Sequence, residues 1–311
     1  MARTLVVGAG ATGAYFGSHL ARAGNEVTFL VRPRRREVLR ERGLRIVSQD
    51  SEEVLHPELI TAAELAGTYD AVLLSVKADA LAAALNDLSP AVGTGTAIIP
   101  FLNGMAHLDA LNDRFGPRSV MGGAVKVATQ VDDNGDIRQL APAASMVIGE
   151  QDGEHTQRLA ALATDFGHAG FDFATSDRIL ADMWHKWVFI ATVTAITVLL
   201  RGSVGEIAAV PDGAEFAAAT LAEAAAVSAA AGHPMSGPEF AANRALVTQE
   251  GSPFVPSMYR DLAAGRPTEV EHVFGDLLTR AAKLGVDTPL LKLATASLRV
   301  HQNRAVGANG H

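Results

Sequence analysis

The sequence predicts an α/β N-terminal domain with a mostly parallel sheet, followed by an all-α C-terminal domain. In the first half, short apolar runs alternate with stretches of helical spacing. After about residue 175 the apolar stretches have helical spacing, and no strand pattern is evident. A chain of 311 residues is long enough to bury two hydrophobic cores. We therefore expect domains at 1–175 and 176–305, with 306–311 as a frayed tail.

The elements predicted in the first half suit a parallel sheet with helices on both faces. Strands are predicted at 4–7, 26–31, 71–76, 96–101, 120–128 and 146–148, and helices at 11–23, 80–88 and 107–115. The turn-forming stretch Asp132-Asp133-Asn134-Gly135 predicts a hairpin.

The second half is predicted to be helical throughout. Helices are expected at 177–200, 212–231, 256–263, 268–284 and 289–303. Asp212 with Glu215, and Thr268 with Glu271, have the spacing of a helix N-cap and its third residue. The alanine-rich stretch 212–231 suits either a helix core or the face of a homodimer, and the sequence leaves both open.

Composition excludes several classes of protein. Apolar residues make up 48% of the chain and charged residues 19%, which excludes a disordered protein. A net charge of −8 argues against a nucleic-acid partner. The sequence has no cysteine, which excludes disulfides, thiol nucleophiles and iron–sulfur clusters. The ten histidines lack H-x-x-x-H or H-x-H spacing, so we expect no metal site.

We expect a cytoplasmic protein with no membrane partner. No basic-then-apolar leader precedes the first strand. The longest apolar run, near 188–200, is shorter than the roughly 20 residues that cross a bilayer.

A dinucleotide-binding loop is predicted directly after the first strand. Its residues are Gly8, Ala9, Gly10, Ala11, Thr12 and Gly13, in the pattern G-x-G-x-x-G. In a strand–loop–helix unit of the Rossmann type, the first glycine makes the turn and the second admits the pyrophosphate. The third lets helix and strand pack closely.

Arginines replace the acidic residue that an NAD site places after the second strand. There is no acid between Glu26 and Glu37, whereas Arg32, Arg34, Arg35 and Arg36 all lie there. Cations at a helix N-terminus oppose its dipole, and a 2′-phosphate would supply a reason for them. We therefore expect NADP(H), with Arg32 as the chief phosphate ligand.

Three further polar residues are candidate site residues. Lys77 and Asn103 follow the strands predicted at 71–76 and 96–101, at the sheet edge that binds ligands in such folds. Lys186 lies between Trp184 and Trp187 in an apolar helix, with Ile190 and Thr194 on its stripe. An apolar neighbour would lower the pKa of this lysine, which suits a general acid.

Taken as a set, these motifs resemble the ketopantoate reductase (2-dehydropantoate 2-reductase) family over nearly the whole chain. The matching pieces are Gly8–Gly13, Val76-Lys77-Ala78, Leu102-Asn103-Gly104-Met105, Trp184-His185-Lys186-Trp187 and Ser257-Met258…Asp261…Gly265-Arg266…Thr268-Glu269. The resemblance implies NADPH-dependent reduction of ketopantoate to pantoate, in pantothenate biosynthesis.

The resemblance also implies roles for individual residues. Lys186 matches the family's proton donor, and Glu269 matches the acid that contacts the cofactor and orders the site. Asn103 matches an asparagine that touches both cofactor and substrate. The remaining matches are Ser257 with a substrate-binding serine, Lys77 with a cofactor-side lysine and Ala128 with an alanine whose backbone meets the cofactor.

The chain departs from the family pattern where the substrate is recognised. Family asparagines are replaced by Ile190, Thr194 and Val204, and a family glutamine is replaced by Ala80. A polar substrate group facing Ile190 would lose a hydrogen bond, at a cost of about 1–3 kcal/mol. Two alternatives therefore stand beside ketopantoate reduction: the same chemistry on a more apolar 2-oxo acid or ketone, and a non-catalytic NADPH-binding regulatory protein.

Overall fold

The computed structural model describes residues 1–308, which divide into two compact units. Unit 1 comprises Met1–Leu102 and His107–Ile179. Unit 2 comprises Asn103–Ala106 and the chain from Leu180 onward. The end of the frayed tail expected at 306–311 lies outside the described residues, whereas its first residues continue a helix to Ala308.

Within residues 1–308 the strands all lie in the first unit. They are β1 (Arg3–Val7), β2 (Glu26–Leu30), β3 (Leu44–Val47), β4 (Glu52–Leu55), β5 (Glu58–Ile60), β6 (Ala71–Leu74), β7 (Ala97–Pro100), β8 (Met121–Val131), β9 (Ile137–Glu150) and β10 (Asp172–Thr175). The helices of this half are α1 (Ala11–Arg22), α2 (Pro33–Arg42), α3 (Leu81–Leu88), α4 (Ala106–Phe115) and α5 (Gln157–Phe166).

The first sheet is parallel, in the order β5-β2-β1-β6-β7. The chain first adds β2 and β5 on one side of β1, and then adds β6 and β7 on the other side of β1. Ligands bind such sheets outside the carboxyl ends of the strands at this reversal. Helix α1 packs closely on the sheet because Gly17 lies against Phe29, where a Cβ would be 2.5 Å from the ring. The predicted fold class is confirmed for this half.

The second sheet is mixed, with the order β10-β9-β3-β4 and β8 paired to β9. The predicted hairpin is present: Asp132 N–H donates to the Asp136 carbonyl at 2.9 Å between β8 and β9. The strand predicted at 146–148 is the end of the 14-residue β9. The short strands β4, β5 and β10 went unpredicted because they are partly exposed and polar, so hydrophobic periodicity is weak there. Strand β3 buries Leu44 and Ile46 but went unpredicted because its alternation spans only four residues.

Unit 2 is all-α among its described residues. Its helices are α6 (Ile179–Leu200), α7 (Val204–Ala208), α8 (Gly213–Ala230), α9 (Gly237–Val247), α10 (Ser257–Ala263), α11 (Asp276–Lys283) and α12 (Pro289–Ala308). A π-helical turn, Glu271–Gly275, runs directly into α11. Ala217, Leu221 and Ala224 of α8 are fully buried, so that face of the alanine-rich helix is core.

The structure corrects both predicted helix caps. Asp212 adopts a left-handed backbone with φ 62° and makes no side-chain cap bond, because the chain turns tightly into α8 there. Thr268 contacts Gln302 Oε1 through both its N–H and its hydroxyl, while Glu271 pairs with Arg299.

Two further expectations change. Helix α6 has 22 residues and is long and apolar enough to cross a bilayer, so the apolar stretch is longer than the sequence predicted. However, 67% of its most apolar stretch is buried inside the protein, as in a core helix. The division between units falls after Ile179 rather than near 175, because Ile179 still packs beside Gly149 of the second sheet. The segment Asn103–Ala106 joins the helical unit, which a single boundary could not anticipate.

Candidate functional site

The glycine loop has the local geometry of a dinucleotide cradle. A Cβ on Gly8, which has φ +97°, would lie 2.6 Å from the Ser75 carbonyl oxygen, and one on Gly13 would lie 2.3 Å from the Gly8 carbonyl oxygen. Both glycines therefore meet the protein's own backbone. A Cβ on Gly10 would meet nothing within 4 Å, so this position faces open space at the start of α1. The residues present fit a pyrophosphate at the helix N-terminus.

The arginines after β2 divide into two pairs. Arg35 donates from Nη2 to the Ala9 carbonyl at 3.2 Å, and burial lowers the pKa of its guanidinium. Arg36 forms an ion pair with Glu64 at 2.7 Å. Arg32 and Arg34 are exposed at the start of α2. Arg32, directly before Pro33 at the carboxyl end of β2, remains the predicted 2′-phosphate ligand.

Lys77 directly follows the residues that contact the glycine loop. Gly8 is packed against Ser75 and Val76, which follow β6, the strand beside β1. Lys77 itself is exposed. The predicted cofactor-side lysine therefore directly follows the residues that contact the loop, and Ser75 is a supporting residue that the sequence did not indicate.

Ala128 falls at an irregularity in the β8–β9 ladder. The register shifts between Val127 and Thr129, which places Ala128 at a β-bulge. The extra residues belong to β9, because the register passes from Ala144 to Gln139 there, and Ala128 has no partner of its own in the ladder. That is what a backbone contact to a cofactor requires.

In unit 2, Lys186 lies within α6 as predicted and is partly buried. The neighbouring Trp187 is 1% exposed, and its Nε1–H donates to the Val273 carbonyl at 3.0 Å. Val273 N–H in turn donates to the Glu269 carbonyl at 3.0 Å. The helix of the predicted proton donor is thereby joined to the segment of the predicted acid.

Asn103 is adjacent in sequence to Gly104, which packs against His272 and Trp187. A Cβ on Gly104, which has φ +78°, would lie 3.0 Å from the His272 carbonyl oxygen and 3.7 Å from Trp187 Cε2. The structure therefore brings together the segments of Asn103, Lys186 and Glu269, all three partly buried. Neither the π turn nor the Trp187–Val273 hydrogen bond has a signal in periodicity, so the sequence did not predict them.

The predicted substrate residues have different surroundings. Ile190 is partly buried one turn beyond Lys186, and Ser257 is exposed at the start of α10. Thr194 is fully buried, and among residues 1–308 its Oγ1 has no hydrogen-bond partner. Thr192 and Thr197 instead donate to the carbonyls of Val188 and Val193. Their roles toward a substrate stay predictions.

Within the part of the chain that the structure describes, no group of three His, Asp or Glu side chains is placed to hold a metal ion.

Two family profiles match the chain. Residues 4–153 match the profile described as ketopantoate reductase PanE/ApbA, and residues 178–302 match the profile of its C-terminal domain. The chain belongs to the ketopantoate reductase family. The resemblance found from the motifs is thus confirmed, and so is the order of a Rossmann-type domain followed by a helical one.

Relatives in this family are similar over their full length. The uncharacterized oxidoreductase YkpB of Bacillus subtilis (strain 168) is 34% identical over 298 residues, covering 96% of this chain and 98% of that protein. A 2-dehydropantoate 2-reductase of Mesorhizobium japonicum is 27% identical over 316 residues, covering 94% and 96%. The chain is therefore an oxidoreductase of the ketopantoate reductase family.

Solved structures of other proteins share this fold. The 2-dehydropantoate 2-reductase of Geobacter metallireducens GS-15 superposes with a TM-score of 0.86 at 28% identity, covering 95% of this chain and 99% of that one. D-mandelate dehydrogenase, solved with NADH and anilino(oxo)acetate, also superposes with a TM-score of 0.86. It is 22% identical, covering 97% of this chain and 99% of that one. At that identity the second likeness shows the fold alone.

Proposed function

We propose that this chain uses NADPH to reduce a 2-oxo acid to a 2-hydroxy acid, that the acid is 2-dehydropantoate, and that Lys186 donates the proton. The observation that carries the proposal is the assembly in unit 2. There, the Lys186 helix contacts the turn that follows Glu269 through the Trp187–Val273 hydrogen bond. Asn103 joins them because Gly104 lies against that same turn.

The chain's own groups have distinct tasks in this reaction. When bound, NADPH supplies the hydride that the carbonyl carbon receives. Lys186 stabilises the negative charge that grows on the carbonyl oxygen and gives that oxygen its proton. Asn103 and Ser257 hold the substrate, and Glu269 orders the site.

Unit 1 supports the cofactor part of the proposal. The open face of Gly10 admits the pyrophosphate, and Lys77 and the backbone of Ala128 add contacts. Arg32 has no acidic neighbour along the chain up to Glu37, and an exposed guanidinium is suited to a 2′-phosphate. Because D-mandelate dehydrogenase binds NADH in this fold, the choice between the two nucleotides needs its own test.

The test of the proposed function is Lys186→Ala, with Lys283→Ala, at an exposed position at the end of α11, as the matched control. Loss of the proton donor should lower kcat for 2-dehydropantoate about 10²-fold or more, with NADPH affinity within about twofold. Lys283→Ala should leave both unchanged. Loss of folding or NADPH binding in Lys186→Ala would make the lysine structural. NADPH binding without turnover of any 2-oxo acid by the wild type would favour the non-catalytic regulatory protein.

Ile190 favours a second candidate, reduction of a more apolar 2-oxo acid or ketone. It stands one turn beyond Lys186, where the family has an asparagine, and presents a hydrocarbon surface. A branched aliphatic 2-oxo acid should then be turned over faster than 2-dehydropantoate. Ile190→Asn should reverse that order, with Leu200→Asn, on the exposed end of the same helix, as control. Faster turnover of 2-dehydropantoate by the wild type would remove this candidate.

We further propose that the reaction takes place in the cytoplasm on a small soluble acid, with neither nucleic acid nor membrane as partner. The net charge of −8 supports the first exclusion, and the burial of α6 supports the second. A homodimer stays a prediction, which light scattering would test.

A further inference from the structure

We propose that Trp187 is a positioning residue, whose indole holds the Lys186 helix, the turn after Glu269 and the Asn103–Gly104 segment in one arrangement. The inference rests on the proposed function, because it concerns the geometry of that reaction. Nothing in the family match singles out this tryptophan, which was matched only as a neighbour of the lysine.

The direction of the indole excludes a direct role in binding. Successive residues of an α-helix point about 100° apart, so Trp187 and Lys186 leave α6 toward different sides. Trp187 is 1% exposed, which leaves no surface for a ligand. It therefore acts on the reaction through the groups that it touches.

The first of these groups is a backbone carbonyl in an unusual turn. Between Glu271 and Gly275 the chain is π-helical, with Asp276 N–H donating to the carbonyl of Glu271 five residues earlier. Such a turn breaks the regular ladder, and π turns occur frequently at functional sites. Here the Val273 carbonyl accepts the indole N–H at 3.0 Å. A buried donor and a buried acceptor satisfy each other across 86 residues of sequence.

The same residue continues the connection to Glu269. Val273 N–H donates to the Glu269 carbonyl at 3.0 Å, closing the first turn of this helix. A single residue, Val273, therefore links the Trp187 hydrogen bond to the backbone of the predicted acid. A shift of Val273 moves Glu269.

The third group is the Asn103–Gly104 segment. Gly104 fits between the His272 carbonyl and the Trp187 ring, at 3.0 and 3.7 Å from the position of a Cβ. Its φ of +78° is a conformation that glycine adopts without strain. The indole thus forms one wall of the slot that holds the backbone next to Asn103.

The test is Trp187→Phe, which keeps a ring but removes the N–H, against Trp184→Phe as matched control. Trp184 is also buried on α6, but its ring packs against the rings of Trp187 and His233 and against the Arg280 guanidinium. We expect Trp187→Phe to lower kcat about tenfold, since small misplacements are costly in catalysis, with NADPH Kd within about twofold. The alkaline limb of the kcat–pH profile should move as well. Trp184→Phe should keep kcat and its pH profile.

Equal kcat in the two variants would overturn the inference. So would a lower melting temperature in Trp187→Phe with kcat unchanged. Both are assayed well below their melting temperatures, which removes unfolding as a cause. Lys186→Ala is assayed in parallel: if it keeps full kcat, the proposed function fails, whatever Trp187→Phe does.

A second pair keeps the inference testable if Trp187→Phe does not fold. Gly104 and Gly116 both have φ +78°, but a Cβ on Gly116 would meet nothing within 4 Å. Both substitutions therefore place alanine at a positive φ that it rarely adopts, and only Gly104→Ala also pushes on the turn beside Trp187. We expect kcat to fall about tenfold in Gly104→Ala and to be kept in Gly116→Ala. Equal kcat in this pair would overturn the inference.

Discussion

Arg35 donates a hydrogen bond from Nη2 to the backbone carbonyl of Ala9 at 3.2 Å, which ties the start of α2 to the glycine loop. This guanidinium is partly buried, and burial lowers its pKa, whereas Arg32 at the front of the same helix is exposed. Two arginines three residues apart are therefore expected to serve the cofactor differently. Arg35 orients the loop, and Arg32 is available to a phosphate.

The arginine prediction compares two substitutions. Arg32→Ala should weaken the binding of NADPH far more than that of NADH, because only NADPH carries a 2′-phosphate for this guanidinium to bind. Arg35→Gln should weaken both nucleotides to a similar degree, because it loosens the loop that holds their shared pyrophosphate. Dissociation constants from nucleotide fluorescence check both. Equal weakening of the two nucleotides in Arg32→Ala would remove its 2′-phosphate role.

The glycine prediction separates binding from folding. Gly10→Ala adds a methyl group that meets no protein atom, in a backbone with φ −82° that alanine tolerates. It should keep the melting temperature and weaken NADPH at least tenfold, since the methyl group occupies the cofactor's path. Gly13→Ala should lower the melting temperature, because its Cβ would lie 2.3 Å from a backbone oxygen. Tight NADPH binding in Gly10→Ala would contradict this placement of the pyrophosphate.

A stability prediction concerns the buried carboxylate of Glu150. It accepts from Arg158 Nε at 2.8 Å, from Arg158 Nη2 at 2.6 Å and from the Thr156 hydroxyl at 2.5 Å. Arg158→Met leaves this carboxylate buried without its cation and should lower the free energy of unfolding by about 2 kcal/mol or more. Lys292→Ala, which breaks an exposed pair with Asp287, should change it by less than about 0.5 kcal/mol. Urea unfolding checks both; equal effects would mean that burial adds nothing here.

A pH prediction follows from His19. Burial lowers the pKa of its imidazole below the ordinary 6.5, although the Ala169 carbonyl opposes that shift. The unfolded chain therefore binds a proton at a higher pH than the fold does, and stability must fall as the pH drops through about 6.5 toward the folded pKa. His19→Gln should reduce the loss of unfolding free energy between pH 7.5 and 5.5, and exposed His155→Gln should not. The pKa of Glu64, about 2, lies below this window. An unchanged loss in His19→Gln would refute the assignment.

Local patterns made much of the fold predictable. The alternation of short apolar strands with helices gave the parallel sheet, and the helical spacing of the second half gave α6, α8 and α12 nearly in full. The predicted helix caps were wrong because hydrogen-bond partners depend on which residues are neighbours in space. Thr268 bonds to Gln302, which is 34 residues away along the chain. Strand β4 went unpredicted because it is a polar edge strand without a hydrophobic face, and β3 because its alternation spans only four residues.

By itself, the sequence determined the glycine loop, the arginines after β2, the fold class and the family, because each depends on residue types at short spacing. Only the tertiary structure decided which arginine meets the Ala9 carbonyl, that the chain forms a π turn at Glu271–Gly275, and that Trp187 bonds to Val273. These features join residues that are distant along the chain. Spacing does not encode such contacts; they arise when buried donors must find acceptors in the packed core.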